Sequence, residues 1–229
     1  KKQVPCTLEA IERELTDRGL TAVGMRLESL AAAASLLERD VPFSVVTTEG
    51  PSLVVASGDE RTPYLILETA RKEVYFRGLS TVQRVRSQVT RRLGDLDYPV
   101  SASSITRKLV IESIRTEPSF RWLDKQESWF WFSSLRKHGI PHAIDKIMSV
   151  AESLTSAELR KAIARNPRLG DAPPPEGVLQ ELCLQTPGLH LQGNRISADP
   201  PKRWQDVLQG VELKLVEILR EHGPVAASA

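Results

Sequence analysis

Cysteine, aromatic residues and long apolar runs are all scarce in this sequence. Of its 229 residues, only 2 are cysteine and 5% are aromatic. Cys6 and Cys183 lie far apart and lack the spacing of a metal site, so we expect no disulfide framework and a reducing, cytoplasmic location. The longest apolar stretch, Leu30 to Leu37, is much shorter than the ~18 residues of a membrane span.

The short motifs of common catalytic sites are also missing. The sequence has no Gly-x-Ser-x-Gly, Gly-Lys-Ser/Thr, His-Glu-x-x-His or Gly-x-Gly-x-x-Gly element. His138 and His142 are four residues apart, but Gly139 and Pro141 between them argue against one continuous helix, and no cysteine or carboxylate completes a metal site. We therefore predict that the chain is not an enzyme and holds no metal or cofactor.

The overall composition is that of a globular protein. Apolar residues make up 41% of the chain and charged residues 26%, which is enough apolar surface for one to three modest cores. Lys1-Lys2-Gln3 leads directly into glutamate-rich sequence of helical type, so no signal peptide is expected. Because the chain lacks an initiating methionine, we interpret it as a fragment.

Positive charge is concentrated in one part of the chain. The net charge is only +2, yet residues 1–60 carry 6 lysines and arginines against 10 aspartates and glutamates. Residues 61–116 carry 11 against 5, a net charge of +6. Such a block favours an anion-binding surface, although incidental arginines on a solvated helix face give the same pattern.

Three segments have the pattern of β-hairpins, in which β-forming residues flank a polar turn. They cover residues 43–56, 120–132 and 189–198, with turns at 49–51, 125–127 and 192–194. The segments recur every ~70 to 75 residues, which indicates a repeated module.

Helical patterns precede each hairpin. Apolar residues at helical spacing, glycine stops and a Thr155–Glu158 capping box predict their positions. The predicted helices cover residues 7–18, 21–38, 63–77, 80–93, 103–116, 142–150, a segment opening at Thr155, a segment opening at Pro174-Pro175, and a lone amphipathic helix over 204–222.

The order helix, helix, helix, strand, strand resembles the winged-helix form of the helix-turn-helix. The chain is also similar to bacterial proteins that join winged helices in tandem, including the HARE-type and sigma-factor-like helix-turn-helix groups. The matching segments are Ser119-Phe-Arg-Trp-Leu-Asp with Ser128-Trp-Phe-Trp-Phe, and Thr155-Ser-Ala-Glu-Leu-Arg with Gly177-Val-Leu-Gln-Glu-Leu-Cys. The resemblance implies a mainly α fold with short β-hairpin wings.

The same resemblance implies a division into tandem winged-helix repeats. A partial winged helix is expected over 1–60, a basic one over 61–135 and a third over 136–200. Residues 201–229 are expected to form the leading helix of a further repeat or a connector.

The resemblance also implies duplex DNA binding in a transcription-related or regulatory role. In DNA-binding members the third helix enters the major groove, while the second helix and the wing flank the phosphate backbone. Applied to the basic repeat, the implied DNA-binding residues are Arg84, Arg86, Arg91, Arg92, Ser103, Ser104, Thr106, Arg107, Lys108, Arg115, Arg121 and Lys125.

Two further interpretations stay open. A protein-interaction or self-association scaffold agrees with the acidic or mixed charge of the first and third repeats. A sensor of single-stranded nucleic acid agrees with the aromatic run in the second hairpin. Because side chains alternate along a strand, Trp129 and Trp131 face opposite to Phe130 and Phe132, so one pair is expected in the core.

Overall fold

The structure, a computed structural model, describes residues 5–21, 26–37, 41–95, 105–136, 138–166 and 173–223. Helices predominate, and the strands form three small antiparallel sheets of three strands each. The chain divides into two compact units, residues 1–75 with 79–134 and residues 76–78 with 135–229. Within the described ranges, every helix is too short or too polar to cross a bilayer.

The elements repeat as three modules. Module 1 comprises β1 (Cys6–Thr7), α1 (Leu8–Asp17), α2 (Leu27–Leu36), β2 (Phe43–Val46) and β3 (Leu53–Ala56). Module 2 comprises α3 (Thr62–Arg77), β4 (Ser80–Thr81), α4 (Val82–Asp95), α5 (Arg107–Arg115), β5 (Phe120–Trp122) and β6 (Trp129–Phe132). Module 3 comprises α6 (Gly139–Val150), β7 (Ser153–Thr155), α7 (Ser156–Ala164), α8 (Glu176–Gln185), β8 (Leu189–Gln192) and β9 (Arg195–Ala198), and α9 (Trp204–Val207) and α10 (Val211–His222) follow it.

All three modules have the same sheet topology, with the last strand in the centre. The strand orders are β1-β3-β2, β4-β6-β5 and β7-β9-β8, and every pairing is antiparallel. The hairpins confirm the sequence prediction. The short first strands were not expected, because two or three residues give no periodic pattern of their own.

One backbone hydrogen bond recurs in every module. The first residue of the helix after the short strand donates its N–H to the carbonyl that precedes the central strand. These bonds are Leu8 to Ser52 at 2.9 Å, Val82 to Ser128 at 3.0 Å and Ser156 to Asn194 at 2.9 Å. Thr7, Thr81 and Thr155 directly precede the three helices and are spaced at 74 residues. The repeat therefore exists in both sequence and structure.

The core of module 2 lies between its helices and β6. The apolar residues of α4 that recur at helical spacing, Val82, Val85, Val89 and Leu93, are all buried. The prediction that one aromatic pair of the second hairpin lies in the core is confirmed. Phe130 and Phe132 are buried as one pair, but Trp131 on the opposite face is also just 1% exposed. Strand β6 is therefore buried on both faces over most of its length.

Several predicted boundaries are wrong for local reasons. Ser80 and Thr81 form strand β4 instead of opening α4, because they pair with Phe130 and Trp129. The lone helix predicted over 204–222 is divided in two: Leu208 after α9 is extended, and Gly210, the N-cap of α10, has φ +54°.

The start of α6 also differs from the prediction. Helix α6 begins at Gly139, with Pro141 in its first turn, where proline is tolerated. His138 therefore precedes the helix as its N-cap, and His142 lies within it. The described residues contain no cluster of three potential metal ligands.

Modules 1 and 2 contact each other within the first compact unit. A Cβ atom built on Gly50, in the turn of the first hairpin, would lie 2.3 Å from the carbonyl oxygen of Thr116 after α5. Arg71 of α3 joins the same region: its Nη2 lies 2.5 Å from Glu49 and 2.6 Å from Glu117. The turn of the first hairpin is thereby held against the end of α5.

We predict that Gly50→Ala destabilises the first unit by about 1–3 kcal/mol, because the added methyl group meets backbone that cannot rotate away. Gly94→Ala is the matched control, since its Cβ meets nothing within 4 Å in helix α4. Urea unfolding followed by tryptophan fluorescence measures both. Equal midpoints for Gly50→Ala and the wild-type chain would contradict this packing.

Candidate nucleic-acid interface

The starts of α4 and α5 and the turn of the β5–β6 hairpin lie together at one end of module 2. Val82 at the start of α4 is bonded to Ser128, and Arg107 at the start of α5 donates from Nη2 to two carbonyls of the turn. These are the carbonyls of Gln126 at 3.0 Å and Glu127 at 2.7 Å. The basic residues grouped at this end, called the tip cluster below, are Arg84, Arg107, Lys108 and Lys125.

Local hydrogen bonds fix two of the three elements that carry the cluster, namely α5 and the hairpin turn. Thr106 is the N-cap of α5, and its hydroxyl accepts the N–H of Leu109 at 3.1 Å. In the hairpin turn, Asp124 Oδ1 accepts the N–H groups of Ser128 at 2.8 Å and Trp129 at 3.0 Å. Thr106 thus fixes the backbone at the start of α5, which carries Arg107 and Lys108. Asp124 fixes the backbone of the turn that carries Lys125.

Two arginines of the site are held by neutral carbonyl groups. Arg107 donates hydrogen bonds to two carbonyls of the hairpin turn, and Arg86 donates from Nε to the carbonyl of Ile105 at 2.7 Å. A carbonyl orients a guanidinium group without neutralising it, so both side chains keep a full positive charge. Arg86 is half-buried and ties α4 to the segment before α5, whereas Arg107 is exposed.

Carboxylates neutralise two other predicted residues. Arg92 donates to Thr69 at 2.8 Å and lies 3.5 Å from Glu68, which ties α4 to α3. Arg115 lies 2.7 Å from Glu127 and 3.6 Å from Glu112, and its Cζ is 5.8 Å from the Trp122 ring centroid. The sequence did not predict Glu68 and Glu127 as partners, because ion pairs between separate elements leave no pattern in the chain.

The remaining predicted residues are dispersed. Arg91 is exposed on α4 and donates to Gln88 at 2.5 Å. Arg121 on β5 donates to the carbonyls of Pro118 at 3.2 Å and Phe120 at 2.6 Å. Thr106 uses its hydroxyl as the cap of α5. Ser103 and Ser104 lie outside the described residues.

The hairpin aromatics do not form an open stacking surface. Phe130, Trp131 and Phe132 are buried, and Trp129 is half-buried. Phe120 and Trp122 are also half-buried and contact each other edge to face, with ring centroids 4.8 Å apart. These rings form a packed cluster, and most of their surface is buried within the module.

Modules 1 and 3 offer less concentrated positive charge. Helix α1 carries Glu9, Glu12 and Glu14 in its first two turns, in the position that α4 occupies in module 2. In module 3, Arg160 donates from Nε to the carbonyl of Pro174 at 3.0 Å, and α8 begins with Glu176. We therefore take the tip cluster of module 2 as the candidate site.

Two titratable groups, Glu117 and Cys183, have pKa values that are shifted for clear physical reasons. Burial opposes ionisation of Glu117, but hydrogen bonds from Arg71 and Ser119 outweigh it and hold the pKa of this carboxyl below 4.5. Burial raises the pKa of the Cys183 thiol to about 12, so this thiol is not a nucleophile near neutral pH.

Comparison with known proteins identifies no relative. No family model, no curated protein and no solved structure matches the chain. The candidate site is therefore defined by its geometry alone.

We expect the contribution of Glu117 to stability to be lost in acid. Its folded-state pKa is depressed, so the stabilisation is present above pH 4.5 and disappears as the pH falls through the lower folded-state value. The difference in unfolding free energy between the wild-type chain and Glu117→Gln should shrink between about pH 6 and pH 3. Glu9→Gln, at an exposed position of α1, is the control. A difference that stays constant over this range would contradict the assignment.

Proposed function

We propose that the chain is an array of winged-helix modules that binds duplex DNA, with module 2 as the main contact. The shared order of short strand, two helices and hairpin supports a winged-helix assignment, as do the leading helices α3 and α6. In this arrangement α5 is the third helix of its module and the β5–β6 hairpin is the wing. The backbone of DNA would then face the second helix, the third helix and the wing.

The observation that carries the proposal is the grouping of the tip cluster. Arg84, Arg107, Lys108 and Lys125 belong to three separate elements, yet hydrogen bonds bring these elements to one end of the module. Arg107 is oriented by carbonyls and keeps its charge. Four such cations contacting phosphates would release condensed counterions, which predicts a slope of log K against log salt of about −3 to −4.

The start of α5 adds a second favourable feature. A helix N-terminus has unpaired backbone N–H groups and a partial positive charge, which favour a phosphate nearby. Arg107 and Lys108 lie in this first turn and are both exposed. Backbone dipole and side-chain charge therefore act in the same direction.

The best test replaces cations that do not hold the fold together. Arg92 and Arg107 tie elements of module 2 to each other. Replacing them would lower the stability of the module, so a loss of affinity could not be assigned to lost DNA contacts. Lys125 is exposed in the hairpin turn, and the side chain of Arg84 has no hydrogen bond to another described residue. These two positions are therefore suited to charge reversal.

We predict that Arg84→Glu with Lys125→Glu lowers affinity for a random-sequence duplex by at least about tenfold at low salt and makes the salt slope shallower by about 2. The control is Arg13→Glu with Lys161→Glu, which makes the same change in net charge at exposed positions of modules 1 and 3. Fluorescence anisotropy across a salt series measures both quantities. Equal losses in the two double variants would contradict a site on module 2.

A protein-interaction scaffold is the second candidate, favoured by exposed apolar side chains. In module 1, Leu36 at the end of α2 is 86% exposed and Leu37 after it 73% exposed. In the second unit, Val211 is 75% exposed and Leu215 53% exposed on one face of α10. Exposed leucines grouped on a helix are typical of surfaces that bind another chain.

If the chain self-associates through these helices, Leu36→Lys with Val211→Lys should shift it to monomer without loss of helix content. Sedimentation velocity over a concentration series measures the change, and circular dichroism checks the fold. Leu20→Lys, at a position 67% exposed outside the helices, is the control. A wild-type chain that stays monomeric at every concentration would exclude self-association by this route.

A further inference from the structure

The exposed side of α5 would meet base edges if this helix entered a groove. Its described exposed residues are Arg107, Lys108 and Arg115, and Glu112 is half-buried on the same helix. Arginine is the side chain that most often reads a base edge, through two parallel hydrogen bonds to guanine. The directions of the two arginines therefore decide what α5 can recognise.

Both arginines point back to the hairpin. Arg107 Nη2 bonds the carbonyls of Gln126 and Glu127, at 3.0 and 2.7 Å. Arg115 Nη2 lies 2.7 Å from Glu127 Oε1, and its guanidinium also contacts the Trp122 ring. Glu127 thus holds both side chains, one through its backbone carbonyl and the other through its carboxylate.

We propose that module 2 contacts the phosphate backbone and binds duplex DNA with little regard to base sequence, because Glu127 holds the arginines of α5 away from base edges. This inference rests on the proposed DNA binding. Lys108 remains exposed on α5, but an ammonium group is a compact charge without the planar fork of arginine. The Glu112 carboxylate beside it disfavours close approach of the helix to phosphate on that side.

The experiment compares duplexes of one length with AT-rich, GC-rich and mixed sequences at fixed salt. We expect the three affinities to agree within about threefold, whereas one direct arginine–guanine contact discriminates by about five- to a hundredfold. A preference above about tenfold for one duplex would overturn the inference and leave the proposed function intact. No binding to any duplex at low salt would overturn the proposed function and, with it, this inference.

A variant of Glu127 tests the part of this mechanism that depends on its carboxylate, which pairs with Arg115. Glu127→Gln removes the carboxylate that pairs with Arg115, and it should raise affinity for all three duplexes by about two- to tenfold, since a negative charge leaves the site and a cation is released. Glu9→Gln makes the same charge change on α1 of module 1 and should leave affinity unchanged. Unchanged affinity in Glu127→Gln would overturn the role given to this residue.

Discussion

The central strand of each sheet is the constraint on which its module depends. Strands β3, β6 and β9 are each paired on both sides, and the residue before each one accepts the first N–H of the helix that follows the short first strand. This bond brings the start of that helix to the turn of the hairpin. The position of the tip cluster in module 2 is therefore a result of topology, and any side chain near the start of α4 or in the hairpin turn is placed at the same end.

Arginines serve as connections between elements as much as sources of charge. Arg86 joins α4 to the segment before α5, Arg92 joins α4 to α3, and Arg71 joins both modules of the first unit. Guanidinium suits this use because its donors lie in a fixed plane and bond two acceptors at once. Part of the high positive charge in this segment therefore serves to hold elements of the fold together.

The hairpins and most of the helices were predictable because their patterns are local. The Thr155–Glu158 capping box is a clear case: both reciprocal hydrogen bonds are present in the structure. The short first strands were not predictable, because Ser80 and Thr81 become a strand only through pairing with β6. The division of the last helix coincides with the backbone conformations of Leu208 and Gly210, which a pattern of apolar residues does not reveal.

The candidate site was predictable in its residues but not in its contacts. Arg84, Arg107, Lys108 and Lys125 stood out by their charge in the sequence. The pairing of Arg115 with Glu127 joins a helix to a turn 12 residues later, at a distance that follows no helical or strand period. Likewise, strand alternation does not predict that Trp131 is buried on the second face of β6.

The late position of each central strand has a consequence for how the protein is made. A ribosome releases the chain from its N-terminal end, and β3, β6 and β9 are the last strands of their modules to emerge. No sheet can close until synthesis has passed residues 56, 132 and 198 in turn. Nascent chains arrested between these points would therefore have helices whose apolar faces are not yet covered by the central strand. Binding of chaperones to the nascent chain would then increase and decrease with the period of the repeat.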